Sequence, residues 1–112
     1  MSEWVDIGPV SQLGEAVPLS AEVDGVPVVV VRCGKELFAV EDRCTHDGES
    51  FAGAEVESCE LICPRHGSRF DLRTGKPTSL PATEPVATFP IEVRGSDVYV
   101  DTDSTLNGVT PA

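Results

Sequence analysis

Two short segments hold the residues best able to bind a metal. One is Cys44-Thr45-His46 and the other is Cys63-Pro64-Arg65-His66, with residues 47–62 between them. Each supplies one thiolate and one imidazole. The chain has two histidines, both in these segments, and two of its four cysteines lie there too. Thiolates are soft anionic ligands suited to iron–sulfur clusters, and imidazole is a neutral ligand for iron. A [2Fe–2S] cluster in which two His replace two Cys on one iron calls for this donor set. Tetrahedral zinc also accepts two Cys and two His, but its usual spacing pairs Cys with Cys and His with His. Here each Cys is followed closely by a His. The spacing favours iron–sulfur chemistry, and the residue types alone leave zinc open.

Four such donors need rigid supports, and strand patterns flank both segments. Residues 4–8 open a short strand, and residues 14–19 lead into 22–23. Asp24-Gly25 is a hairpin turn signal. Residues 26–33 are β-branched and apolar, as in a buried strand. Gly34-Lys35 turns into an alternating stretch, 36–40, which runs directly into the first donor segment. Residues 54–62 read as a pair of short strands leading into Cys63. Residues 69–72 leave the second segment and turn at Thr74-Gly75-Lys76. Pro77, Pro81 and Pro85 make 77–85 an extended connection with few strand bonds. Residues 86–93 and 98–100 read as a final hairpin across Gly95-Ser96. No stretch has a helical period, although 50–54 has room for one helical turn. The pattern predicts an all-β domain over 1–103 and a flexible tail over 104–112. Cys33 and Cys59 fall in strand patterns and are expected to fill the apolar core as thiols.

Read onward, the segments are Cys44-Thr45-His46-Asp47-Gly48 and Cys63-Pro64-Arg65-His66-Gly67-Ser68. They resemble the two cluster-binding loops of the Rieske family, Cys-x-His followed by a Gly-containing turn and Cys-Pro-x-His-Gly-Ser/Lys. Arg69-Phe70-Asp71-Leu72-Arg73-Thr74-Gly75 looks like the strand and turn that close the family's second loop. The resemblance runs from Val5 to about Asp101. It implies the Rieske iron–sulfur fold, with antiparallel sheets and one [2Fe–2S] cluster held by two hairpin loops at one tip. It implies that Cys44 and Cys63 bind the iron that stays ferric, and that His46 and His66 bind the iron that takes the electron. Neutral imidazoles lower the negative charge at that iron, so the potential rises from about −400 mV to roughly −150 to +300 mV. An imidazole can also lose its remaining proton, which couples reduction to protonation.

Departures from the pattern place the centre within that range. High-potential members of the family carry an extra Cys in each loop, joined as a disulfide. Glu49 and Arg65 stand at those positions here, so an ion pair is the available substitute. Those members also have Ser and Tyr hydroxyls after the second His, and hydrogen bonds to sulfur stabilise the reduced cluster. This chain has Ser68, which can donate, and Phe70, which cannot. Together with Pro64, which stiffens the second loop, and Gly67, which permits its turn, these residues form the expected surround of the cluster. A low potential is expected.

The resemblance further implies a role. Free-standing Rieske domains serve as ferredoxin components of bacterial ring-hydroxylating dioxygenase systems. They pass single electrons from an NAD(P)H-dependent flavoprotein reductase to a terminal non-haem iron oxygenase. The oxygenase itself needs two further His and a carboxylate for its catalytic iron, and both histidines are committed here. The Gly-x-Gly-x-x-Gly fingerprint of a dinucleotide-binding reductase is absent. Two alternatives remain at this level: a small subunit similar to that of assimilatory nitrite reductase, and a redox-sensing or structural metal-binding module.

Composition agrees with a small acidic carrier. At 112 residues the chain is one domain on ordinary size grounds. Its net charge of −11, from 19 acids against 8 bases, argues against nucleic acid as a partner. That charge suits docking onto a basic protein and serves ordinary solubility equally well. Half of the bases, Arg65, Arg69, Arg73 and Lys76, lie in or just after the second donor segment, so the cluster end is expected to be less negative than the rest. No apolar run approaches the roughly 18 residues of a membrane span. Met1-Ser2-Glu3-Trp4 has no basic stretch of the signal-peptide kind. A soluble, cytoplasmic monomer is expected, a setting in which a Cys33–Cys59 disulfide is not.

Overall fold

The computed structural model describes residues 4–46 and 48–111. Met1, Ser2, Glu3, Asp47 and Ala112 lie outside the described residues. The strands are, in chain order, β1 (Val5–Pro9), β2 (Leu19–Val23), β3 (Val26–Cys33), β4 (Glu36–Glu41), β5 (Glu55–Glu57), β6 (Glu60–Ile62), β7 (Arg69–Asp71), β8 (Thr88–Phe89), β9 (Ile91–Arg94) and β10 (Asp97–Val100). One 3-10 turn, Val10–Gln12, follows β1. The strands form three antiparallel sheets, ordered β1-β10-β9, β2-β3-β4-β8 and β5-β6-β7.

The alternation of side chains along β3 explains the layering. Val28, Val29, Val30 and Val31 are all fully buried. Val28 and Val30 belong to a core shared with Val98 and Val100 of β10 and with Phe89. Val29 and Val31 belong to a second core, shared with Leu61 of β6 and Phe70 of β7. Successive residues of a strand face opposite sides, so β3 lies in a middle sheet covered on both faces. The neighbouring strand repeats the split, with Ala39 on one side and Val40 on the other. An uninterrupted apolar run is what a strand buried on both faces requires.

Tight turns set the register. Asp24 and Gly25 both take positive φ (50° and 80°), and the strand pair closes at Val23 opposite Val26. That is the two-residue hairpin its Asp-Gly signal predicts. Gly75 is held by a close approach as well as by its φ of 77°. A Cβ there would lie 2.2 Å from the Val86 carbonyl oxygen, so a side chain would push apart the exit of β7 and the segment entering β8.

Three sequence expectations need revision. Residues 86–93 are not one strand. Pro90 cannot donate a ladder hydrogen bond, and it divides the stretch into β8, which pairs with β4, and β9, which pairs with β10 in another sheet. The segment 104–112 is tied down over its described part. Asn107 Nδ2 donates to the carbonyls of Thr74 (3.0 Å) and Val86 (2.8 Å), Leu106 N–H donates to the Thr88 carbonyl, and Val109 packs on the core. Third, Cys33 and Cys59 are not separate thiols but a disulfide, with Cα atoms 5.9 Å apart. Cys33 ends β3 in the middle sheet and Cys59 lies in the turn between β5 and β6, and packing of those two sheets brings them together. A separation of 26 residues concealed the contact from local pattern reading.

Candidate metal centre

The two donor segments fold into closely matched loops. In the first, Cys44 N–H donates to the Glu49 carbonyl (2.8 Å) and Gly48 N–H to the Cys44 carbonyl (2.7 Å). In the second, Cys63 N–H donates to the Ser68 carbonyl (2.8 Å) and Gly67 N–H to the Cys63 carbonyl (3.0 Å). Each Cys thus bonds the residues four and five positions on. Gly48 and Gly67 have nearly the same φ, 76° and 74°. The His stands at a different place in each, two residues after Cys44 and three after Cys63. β4 delivers the first loop, while β6 enters and β7 leaves the second.

The donors form two tiers. Cys44 and Cys63 are buried, neither in a disulfide, within the core that also holds Phe51 and Phe70. His46 and His66 are exposed, and their rings meet edge to face with centroids 5.2 Å apart. Among the described residues no three His, Cys, Asp or Glu side chains gather as a single ion would need. The donors are instead paired by depth, thiols below and imidazoles above. Two irons with two protein donors each fit that arrangement. Of the four sequence-predicted donors, the structure brings the two imidazoles together at the surface and places the two thiols in one buried core. Of the expected surround, Ser68 and Phe70 are buried, while Pro64 and Gly67 line an exposed groove with Gly53, Glu55, Ile62 and Cys63.

The supports of the loops were not visible in the sequence. Phe51 and Phe70 pack edge to face beneath the loops, 5.6 Å between centroids. The Asp42 carboxylate accepts bonds from Phe51 N–H (2.6 Å) and the Ser50 hydroxyl (2.9 Å), which fixes the return of the first loop. The proline-rich segment 77–85 forms a third wall. Thr45 Oγ1 donates to the Glu84 carbonyl (2.7 Å), and Ala82 N–H donates to Ser68 Oγ (3.1 Å). Ser79 Oγ accepts from Arg69 N–H (3.0 Å). One segment thus tethers both loops. Its prolines marked it as extended, but nothing local marked Thr45, Ser79 or Ala82 as its contacts.

Charge at this end is largely paired. Arg65 Nη1 lies 3.9 Å from Glu49 Oε1, across the two loops where the resemblance implied an ion pair in place of a disulfide. Both side chains are more than half exposed, so the contact is worth about 0–1 kcal/mol. Arg69 bonds Glu60 at 2.8 Å and reaches Glu57 at 3.4 Å. Its guanidinium, with help from Thr78, holds the Glu60 carboxyl below the usual range, and Glu60 in turn raises the Arg69 pKa. Arg73 reaches Glu36 at 3.5 Å and lies over the Phe38 ring. Pairing of Arg65, Arg69 and Arg73 weakens the charge dipole expected from their clustering in sequence.

A family model for the Rieske [2Fe-2S] domain matches residues 3–90. The chain belongs to the Rieske [2Fe–2S] family. A relative, the ferredoxin subunit of 3-phenylpropionate/cinnamic acid dioxygenase from Shigella boydii serotype 4, is 38% identical over 95 residues. The match covers 83% of this chain and 88% of that protein. The subunit of the same name from Escherichia coli K12 is 37% identical over equal coverage. Among solved structures, the ferredoxin of carbazole 1,9a-dioxygenase from Nocardioides aromaticivorans IC177 superposes with a TM-score of 0.84 at 37% identity. That superposition covers 88% of this chain and 97% of that one. A ferredoxin solved in complex with the oxygenase of carbazole 1,9a-dioxygenase gives a TM-score of 0.82 at 32% identity, over 88% and 92% of the two chains. The near-complete antiparallel β content expected from sequence is the fold of these ferredoxins, and the cofactor of the domain is one [2Fe–2S] cluster.

Proposed function

We propose that this Rieske protein is a soluble one-electron carrier of a ring-hydroxylating dioxygenase system, an electron-transfer component and not the catalyst of substrate oxidation. Cys44 and Cys63 hold the inner iron and His46 and His66 the outer one. The cluster, when bound, accepts and releases one electron. The chain does the rest. Phe51, Phe70 and the buried thiols exclude water from the inner side. The matched loops and the 77–85 segment fix the four donors, so little rearrangement accompanies a change of charge.

The observation that carries this reading is the two-tier arrangement, with thiols in the core and paired imidazoles on the surface. An electron leaving through exposed imidazole edges has a short path to a docked partner. The partners in this reading are an NAD(P)H-dependent flavoprotein reductase and a terminal non-haem iron oxygenase. The relatives named as dioxygenase ferredoxin subunits, and the ferredoxin captured with its oxygenase, support that pairing. Among the described residues no helix is long and apolar enough to cross a membrane, and we place the carrier in the cytoplasm as a monomer. Phe70, buried and without a hydroxyl, puts the potential near the lower end of the Rieske range, about −150 mV.

The test is spectroscopic and then kinetic. Dithionite-reduced protein should give the low-average-g EPR signal of a His-ligated [2Fe–2S] centre. In stopped flow, a flavoprotein reductase should reduce the carrier rapidly and a ring-hydroxylating oxygenase should reoxidise it. Colourless protein with stoichiometric zinc after anaerobic purification would overturn the centre. A normal EPR signal without exchange with any such oxygenase would overturn the role.

A further inference from the structure

The Cys33–Cys59 link lies outside the metal centre, at the far end of β4 from the first loop and one short strand, β6, from the second. The 26-residue span it closes contains Cys44 and His46, and Cys63 follows four residues after Cys59. Cys33 ends β3 of the middle sheet. Cys59 is in the two-residue turn between β5 and β6, so the link joins the middle sheet to the sheet that enters and leaves the second loop. The link is the covalent tie between these two layers.

The turn at Cys59 is itself costly. Ser58 and Cys59 both take positive φ, 53° and 59°, a left-handed conformation that residues bearing a Cβ rarely adopt. Two-residue hairpin turns of this kind usually hold Asn or Gly there. The backbone at Cys59 is also anchored through its carbonyl, which accepts from Leu72 N–H at 3.1 Å. β6 then runs from Glu60 to Ile62, and Cys63 follows directly. A constraint at Cys59 is therefore transmitted along one short strand to the second loop. Both half-cystines are only half-buried, so a small thiol can reach them.

We propose that Cys33–Cys59 is a reversible thiol–disulfide site that exchanges with dithiol-class reductants, and that opening it loosens the strand carrying Cys63. Opening breaks the Sγ–Sγ bond and forms two S–H bonds. The dithiol supplies both electrons and both protons and leaves as its own disulfide; closing is the reverse reaction, with that disulfide as oxidant. Disulfides in reducing compartments are usually transient or redox-sensing rather than structural, and exchange needs only thiolate access to a sulfur. The proposal rests on the assignment of Cys63 as a ligand and on the cytoplasmic placement, but not on the identity of the redox partners.

The experiment is a titration of the cluster-loaded protein in anaerobic mixtures of reduced and oxidised dithiothreitol, with maleimide trapping and peptide mass analysis. Under oxidising mixtures Cys33 and Cys59 should be unlabelled. Under reducing mixtures both should label together, in one two-electron transition, while the visible absorption of the cluster persists. The thermal midpoint should then fall by about 10 °C or more, and bleaching by a chelator should become several-fold faster. The Cys33→Ser/Cys59→Ser double variant should match the reduced protein and ignore the buffer. Labelling of both residues in every mixture would overturn the proposal, as would resistance in every mixture. Reduction that left both the midpoint and the bleaching rate unchanged would also overturn it. The titration reads thiols directly, so it stands or falls separately from any assay of electron exchange with an oxygenase.

Discussion

Ser68→Ala separates what holds the second loop from what sets its potential. Ser68 is fully buried, and its Oγ accepts the Ala82 N–H at 3.1 Å. The hydroxyl proton is therefore available to donate elsewhere, and sulfur at the cluster is its expected acceptor. Ala82 is itself buried. Removing Oγ leaves the Ala82 N–H without that acceptor, at a cost of about 1–3 kcal/mol. The lost donor has a second effect. A hydrogen bond to a charged acceptor is stronger than one to a neutral acceptor by about 1–1.5 kcal/mol, and the reduced cluster carries the extra negative charge. At about 59 mV per tenfold for one electron, with about 1.4 kcal/mol per tenfold, the potential should fall by about 40–65 mV. Urea unfolding measures the first effect and protein-film voltammetry the second. Ser79→Ala is the control. Ser79 Oγ accepts Arg69 N–H from the same 77–85 segment, so its loss should lower stability and leave the potential in place. If Ser68→Ala lowers stability with an unchanged potential, or if Ser79→Ala moves the potential equally, the hydroxyl does not act on the cluster.

Phe70→Tyr should raise the potential, because it adds a donor beside the centre; voltammetry showing no upward shift would count against the role given to Phe70. His46→Cys and His66→Cys should each lower the potential sharply wherever the cluster survives, since a thiolate restores negative charge at the outer iron, and EPR with voltammetry reads both. Glu60 supplies a pH test. The Arg69 guanidinium depresses its folded pKa, so its stabilising contribution is present above the ordinary glutamate value of 4.5 and is lost as pH falls through the lower folded value. Urea midpoints of Glu60→Gln should accordingly show a shallower acid limb than wild type. Asn107→Ala removes the donors to the Thr74 and Val86 carbonyls and should cost about 1–3 kcal/mol in urea unfolding without altering the EPR signal.

The amino-acid sequence by itself carried the expectation of the donor chemistry and determined most of the strands. Two thiolates and two imidazoles in two short segments point to a mixed-ligand iron–sulfur centre because ligand preference belongs to side-chain type and spacing. β3 and the Asp24-Gly25 turn were legible for a similar reason: alternation and turn chemistry act over a few neighbouring residues. Tertiary structure decided what depends on distance in space. It put Val28 and Val30 in one core and Val29 and Val31 in another, which an unbroken apolar run cannot declare. It joined Cys33 to Cys59 across 26 residues and Thr45 to Glu84 across 39. It also divided residues 86–93 between two sheets at Pro90. Buried thiols beneath exposed imidazoles are likewise a property of how the layers stack, because depth below a surface is set by the whole chain and not by any short stretch of it.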